Sequence, residues 1–314
     1  MNLLEEAKLN SKRKAPFYYK FLSLFSVVRG YNIAVMLLAQ LLSAVFVFAP
    51  NKPLSSVVFD LKLWALFFAT ASVVAGGYII NHFYDEGKDS VNRPIKTKID
   101  TFISQRTKLT SYFLLNFLGL ILGLFVSWRA GLFFSVYIFL IWLYSHKLKK
   151  YPLTGLFGAA FLTILPFFAV FAFYKNFSEI IFAHAAFLFF ILLVRELVKD
   201  LENLKGDMLF NYETIVVKYG EHFTRMLIVL INAFTLIPIY YLLKFPEIGY
   251  MKYYFVFVLM GLIIISILIW YSKSKKRYLF LHNLLKVIIV AGVLSLILLD
   301  TTVIIERILE RLGQ

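Results

Sequence analysis

Residues 62–89 read KLWALFFATASVVAGGYIINHFYDEGKD. The portion from 62 to 83 is almost wholly apolar, and an unbroken run of about 17–25 such residues has the length of one helical crossing of a bilayer core. The polar portion follows with no turn signal between the two. Asn81, Asp85 and Asp89 stand at i, i+4 and i+8, so a helix that continues past the apolar run projects three oxygen-bearing side chains from one face. Gly87 weakens such a continuation by about 1 kcal/mol and does not break it. One stretch thus predicts a membrane helix and a polar site at its end.

Eight further apolar runs lie outward from it, near 28–49, 109–128, 130–146, 153–174, 179–198, 226–243, 253–271 and 279–305. Trp128-Arg129-Ala130 is the expected turn between the third and fourth spans, whose joint length far exceeds one crossing. The predicted fold class is all-α, a polytopic membrane helical bundle of about nine transmembrane helices. Its expected organisation is a basic N-terminal segment over 1–27, a single transmembrane domain over 28–305 and a short tail over 306–314. Of the 314 residues 61% are hydrophobic and 16% charged, against about 25% charged in soluble domains, which argues against a soluble particle. An outer-membrane barrel would show short alternating segments in place of these runs. The chain has no cysteine, which excludes disulfides, thiolate nucleophiles and Cys-ligated zinc.

The 33 Lys and Arg residues outnumber the 18 acids and leave a formal charge of +15. Sorted by nine spans, 23 of the basic residues share the side of the N-terminus and 8 lie on the other. That bias predicts a multi-pass protein of the cell (cytoplasmic) membrane, with its N-terminus and even-numbered loops in the cytoplasm. Lys8, Lys12, Arg13, Lys14 and Lys20 are expected on the anionic leaflet. The basic excess is then largely a topology signal, and neither a nucleic-acid partner nor an obligate protein partner is called for.

A second acidic group closes the sixth span: Arg195-Glu196-Leu197-Val198-Lys199-Asp200-Leu201-Glu202-Asn203-Leu204-Lys205-Gly206-Asp207. Asp200, Asn203 and Asp207 stand at i, i+3 and i+7 on one helical face, while Glu196 and Glu202 point elsewhere. Four spans separate the two groups, so both emerge on one membrane face. Hard oxygen donors of this kind suit Mg²⁺, which takes one or two carboxylates and completes its shell with water and substrate phosphate. Solvated helix ends would explain either group alone, but not both on the same side.

The Asn81-x3-Asp85-x3-Asp89 motif, Asn92-Arg93-Pro94 and the Asp200/Asn203/Asp207 set resemble the UbiA superfamily of intramembrane prenyltransferases over most of the chain. Arg195 to Glu202 looks most like the digeranylgeranylglyceryl phosphate synthase branch, which alkylates a glycerol-phosphate ether lipid. Tyr144-Ser145-His146-Lys147-Leu148-Lys149-Lys150 is similar to the family's basic Tyr-Ser loop after helix four, and Arg29-Gly30-Tyr31-Asn32 to its Arg-Pro-x-Asn start. The resemblance makes Arg29 and Asn32 substrate-pocket residues; an interfacial anchor is the other reading of Arg29. His82 and Asn203 stand where that branch usually has Asp.

The expected activity is Mg²⁺-dependent transfer of a prenyl group from an isoprenoid diphosphate, such as geranylgeranyl diphosphate, to a lipid acceptor such as geranylgeranylglyceryl phosphate, releasing pyrophosphate. Asp85 and Asp89 are assigned to one ion, Asp200 and Asp207 with Asn203 to the other, and all four aspartates are read as catalytic. Asn81 orients the first ion, and Arg93, Lys147 and Lys149 clamp phosphate oxygens. Tyr84 and Tyr144 are placed near the site, where aromatic faces stabilise developing positive charge. Lys286 is read as snorkelling and His82 as an interfacial hydrogen-bonded histidine. An aromatic acceptor, as in quinone-type pathways, is the sister reading. A cation-coupled transporter is the rival, and it places its acids near the bilayer midplane rather than at helix ends.

Overall fold

The computed structural model describes residues 17–100 and 102–299, with side chains from Leu22 onward. Among the described residues it is helical without strands, and nine helices are long and apolar enough to cross a membrane. The chain is a multi-pass helical membrane protein. The membrane helices are α1 (Gly30–Phe48, its last turn π-helical), α2 (Leu61–Asn92), α3 (Gln105–Val126), α4 (Trp128–His146), α5 (Pro152–Tyr174), α6 (Glu179–Leu209), α7 (Ile215–Leu242), α8 (Pro246–Tyr271) and α9 (Lys275–Leu298). Additional helices, Phe17–Val27 and Pro94–Asp100, precede α1 and follow α2. The basic side chains expected on the leaflet, from Lys8 to Lys20, and the tail over 306–314 lie outside the described residues.

Helix length positions the site. With 32 and 31 residues, α2 and α6 are the longest elements. At about 1.5 Å of rise per residue they run some 46–48 Å, against a hydrocarbon core of about 30 Å. Both therefore continue beyond the spans expected at 62–83 and 179–198, and their polar ends stay helical. Asp60 starts α2 by accepting the backbone N–H groups of Lys62 and Leu63 at 2.9 and 3.2 Å. These two helices are also the most buried of the nine and pack against each other, with α3 beside α2 and with α7 and α9 beside α6.

The turn between α3 and α4 is displaced from the expected Trp128-Arg129-Ala130. Ser127 alone is extended, and its hydroxyl accepts the Ala130 N–H at 3.1 Å, so Trp128 is already helical. Helix α7 is two helical pieces joined at Gly220, whose φ of 84° and ψ of 167° suit glycine. At the loop side of α2, His82 Nε2 lies 3.1 Å from Lys108 Nζ, and its Nδ1 lies 3.8 Å from Asp100. This buried group ties α2 to α3 and to the Pro94–Asp100 helix, in keeping with the structural role expected of His82.

Candidate active site

Asp85 is held from several directions. Its Oδ1 accepts the Tyr212 hydroxyl at 2.7 Å and faces the Lys149 ammonium at 2.8 Å, while Oδ2 accepts the Asn81 amide at 3.0 Å. Lys149 Nζ also donates to Asn81 Oδ1 at 3.1 Å, closing a ring of three side chains. Because Asn81 and Asp85 are one helical turn apart, α2 supplies both from one face. Lys149 enters from the short 3₁₀ turn Leu148–Lys150 between α4 and α5. Burial pushes its ammonium down to about 8, against the pull of Asp85. Burial and the Asp85 carboxylate push the Tyr212 phenol up, which keeps it a hydrogen-bond donor.

The second acidic group meets the first through one cation. Lys88 Nζ lies 3.2 Å from Asp207 Oδ1 on α6 and 3.8 Å from Asp85 Oδ1 on α2. The same ammonium sits 4.0 Å from the centroid of the Tyr212 ring, a cation–π contact. Asp200 and Asp89 lie within the electrostatic reach of this cluster: Asp200 interacts with Asp207 and Lys88, and Asp89 with Lys149 and Tyr212. Tyr144 likewise lies close enough to interact with Asp200, Asp85 and Tyr212. Loop registration is backbone work, since Glu213 N–H donates to Lys150 O at 2.8 Å and Tyr212 N–H to Asp207 O at 2.9 Å.

The α2–α6 seam is closed by Asn92. Its carbonyl oxygen Oδ1 accepts the Gly206 N–H at 3.2 Å, and its amide donates to Asn203 O at 3.3 Å. A Cβ at Gly206 would lie 2.3 Å from the Asn92 amide, so the close approach needs glycine.

Other expected site residues fall elsewhere. Arg93 pairs with Glu202 at 3.5 Å, away from the Asp85–Asp207 cluster, and Lys147 is exposed at the end of α4. Arg29, in left-handed conformation at φ 51°, stacks over the Tyr78 ring at 5.1 Å, and Asn32 donates to the Tyr78 hydroxyl at 3.3 Å. These two converge on α2 as a pair, which an isolated interfacial anchor does not require. Glu196, expected to point elsewhere, pairs with Arg195 and Lys199 but lies one helical turn before Asp200 on the same helix and close enough to interact with it, so it shares that face. Lys286, expected to snorkel, lines a polar cavity with Arg93 and Glu202, and one turn earlier on α9 His282 meets Glu202 of α6.

The family profile of the UbiA prenyltransferases matches residues 25–297. The chain belongs to the UbiA prenyltransferase family. Among UbiA relatives, the digeranylgeranylglyceryl phosphate synthase of Methanobrevibacter smithii is 28% identical over 237 residues, covering 72% of this chain and 80% of its own. That of Korarchaeum cryptofilum is 26% identical, covering 78% and 88%. The fold is similar to a UbiA homolog from Archaeoglobus fulgidus bound to GPP and Mg²⁺, with a TM-score of 0.63 at 17% identity over 88% of this chain and 99% of that one. A chain solved in work on digeranylgeranylglyceryl phosphate synthase in membranes gives a TM-score of 0.66 at 22% identity over 88% and 97%. The UbiA fold and prenyltransferase class are therefore established for this chain.

The donor set fits a UbiA magnesium site on two observations. The Lys88 ammonium shows that one cation reaches carboxylates from both helices at once. Asn203 Oδ1 is buried without a hydrogen-bond partner, an oxygen whose desolvation cost a cation would offset. Among the described residues no three acidic or histidine side chains converge as ligands; Lys88 stands between Asp85 and Asp207, and Lys149 pairs with Asp85. Sequence reasoning missed Tyr212, which carries no spacing signal. Lys88 was legible at i+3 from Asp85 but not its bridge to α6. Replacing Tyr212 by Phe removes one hydrogen bond and leaves the ring under Lys88; kcat should fall about 10- to 100-fold, with about 1 kcal/mol lost in thermal unfolding. An unchanged kcat would remove Tyr212 from the site.

Proposed function

We propose that the chain joins an isoprenoid diphosphate to a glyceryl-phosphate lipid at the cytoplasmic face of the cell membrane. The observation that carries this reading is the Lys88 bridge between Asp85 of α2 and Asp207 of α6, two acidic helix ends held at one point. The names of the relatives support the lipid acceptor, and the Mg²⁺ and GPP of the Archaeoglobus fulgidus homolog support the donor.

Asp85 and Asp89 would hold one magnesium ion, and Asp200, Asp207 and the free oxygen of Asn203 the other. Bound there, magnesium neutralises the diphosphate and makes it a leaving group. Asn81, Tyr212 and Lys149 fix the Asp85 carboxylate, so its orientation is set before substrate arrives. Lys88 and Lys149 donate to diphosphate oxygens once released from the carboxylates. The donor's carbon–oxygen bond breaks with its electrons on diphosphate, and the acceptor hydroxyl oxygen bonds to the freed carbon. Its proton leaves with pyrophosphate. Tyr84 and Tyr144 offer ring faces to the developing carbocation.

A donor and acceptor panel tests the reading. The protein in detergent should form the prenylated product from geranylgeranyl diphosphate and geranylgeranylglyceryl phosphate, with product mass as readout, and lose at least about 100-fold of the rate on chelation of Mg²⁺. Product from an aromatic acid alone would replace the acceptor; substrate uptake into liposomes without pyrophosphate release would replace the reaction class.

A further inference from the structure

Beyond the Asp85–Asp207 cluster, Asn92 and the start of α9 line a polar cavity of about 350 Å³. Its polar lining includes Arg93, Lys96, Lys275 and Lys286 against a single carboxylate, Glu202, with His282 beside it. Glu202 is already committed: one oxygen lies 3.5 Å from Arg93, and the other 2.7 Å from His282 Nδ1. Among the described residues Lys275 Nζ donates to a neutral acceptor, Asn92 O at 2.5 Å, with Glu202 within its electrostatic reach, and Lys286 Nζ donates to Asn283 Oδ1 at 3.4 Å. Lys96 pairs with Asp100 at 3.7 Å. Arg29 and Arg195 add to the field at Lys286, and burial together with Arg29 pushes the Lys96 ammonium below its ordinary value. Among the described residues, cations thus outnumber anions in this concave site, the arrangement that a multiply charged phosphate relieves.

The cavity wall is also apolar on one side. Ile95 is 79% exposed and Leu279 42%, and both line it. That suits an amphiphile whose headgroup enters the charged end while its stem stays on the apolar wall. Position relative to the reaction centre follows from the helices. Arg93 lies four residues past Asp89, about 6 Å of rise, and Glu202 five residues before Asp207, about 7.5 Å. Asn92, which lines the cavity, also bonds Asn203 O and the Gly206 N–H across the seam.

We infer that this cavity binds the phosphate headgroup of the lipid acceptor, with Arg93 and Lys286 as its principal contacts, separate from the donor diphosphate at Asp85 and Asp207. This rests on the phosphate-bearing acceptor proposed above, and it moves Arg93 from the donor to the acceptor. A phosphomonoester is the shared chemistry; the lipid headgroup is the source favoured by Ile95 and Leu279, and free phosphate is the other.

The test uses the full chain in detergent, geranylgeranyl diphosphate as donor and geranylgeranylglyceryl phosphate as acceptor. Arg93→Gln and Lys286→Gln should each raise the acceptor KM about 10-fold or more, the worth of one lost charge-assisted hydrogen bond, and leave the donor KM within about twofold. Lys286→Arg should restore most of the affinity, which a merely structural role would not require. Geranylgeranylglycerol, lacking the phosphate, should be used equally poorly by wild type and variants. An unchanged acceptor KM, or a rise in donor KM instead, overturns the assignment. Inorganic phosphate that competes only in wild type, with the acceptor KM unmoved, also overturns it and leaves a free-phosphate site. If wild type forms no product, equilibrium binding of the labelled acceptor without donor separates the two readings. Binding lost in the Arg93→Gln/Lys286→Gln variant keeps the cavity and sinks the reaction; no binding by wild type sinks both. Melting curves of each variant in detergent identify any that fail to fold, and displacement of labelled acceptor from wild type by inorganic phosphate then carries the test: phosphate that fails to displace the acceptor overturns the assignment.

Discussion

Asp207→Ala and Asp85→Ala should each lower prenyl transfer by at least about 100-fold, since their loss, as the metal ligands proposed above, would cost no less than the 10- to 100-fold seen for partners of ligands. The two aspartates are the points at which α2 and α6 share one cation, and Asp207 is only 1% exposed. Removing either leaves Lys88 with the other carboxylate and the Tyr212 ring, so the ammonium is never wholly unpaired. The stability loss should therefore stay below the roughly 3–5 kcal/mol typical of a fully broken buried ion pair. Product mass and thermal unfolding in detergent read the two effects separately. Asp207→Asn, which keeps volume and an acceptor oxygen but no charge, separates loss of the charge from loss of packing. Full activity in both alanine variants would end the assignment.

Gly206→Ala should destabilise the protein by about 2–5 kcal/mol and remove activity with it. The added Cβ would lie 2.3 Å from the Asn92 amide, whose side chain makes two buried hydrogen bonds to α6. Moving Asn92 leaves the Gly206 N–H and its own amide unsatisfied at a close contact of α2 with α6, and each orphaned group costs about 1–3 kcal/mol. Gly87→Ala is the control. Its Cβ would meet the Phe210 ring at 2.5 Å, but that ring is 42% exposed and can swing away, while alanine favours the helix by about 1 kcal/mol. Equal melting temperatures for the two variants would show that the Asn92 contact does not hold the seam.

Much of this architecture was legible because membrane helices are read from composition over long windows. The nine spans and the i, i+4, i+8 placement of Asn81, Asp85 and Asp89 needed only helical periodicity. Boundaries were less legible where a single residue decides them. Ser127 starts α4 through one hydroxyl cap, and Gly220 breaks α7 through one positive φ, neither of which alters hydropathy. Within the site, Arg93 and Lys149 looked alike as basic residues beside polar motifs. Lys149 reaches Asp85 from a 3₁₀ turn, whereas Arg93, just past the end of α2, turns to Glu202 of α6.

The sequence by itself determined the class of protein, the UbiA resemblance and which helix ends carry acids, since each depends on residues close along the chain. The tertiary structure alone decided that Lys88 bridges Asp85 to Asp207, that Tyr212 caps Asp85 from 127 residues away, and that Asn92 locks onto Gly206. Those contacts join segments more than a hundred residues apart. They exist only because two helices longer than the bilayer project side by side and bring their polar ends together.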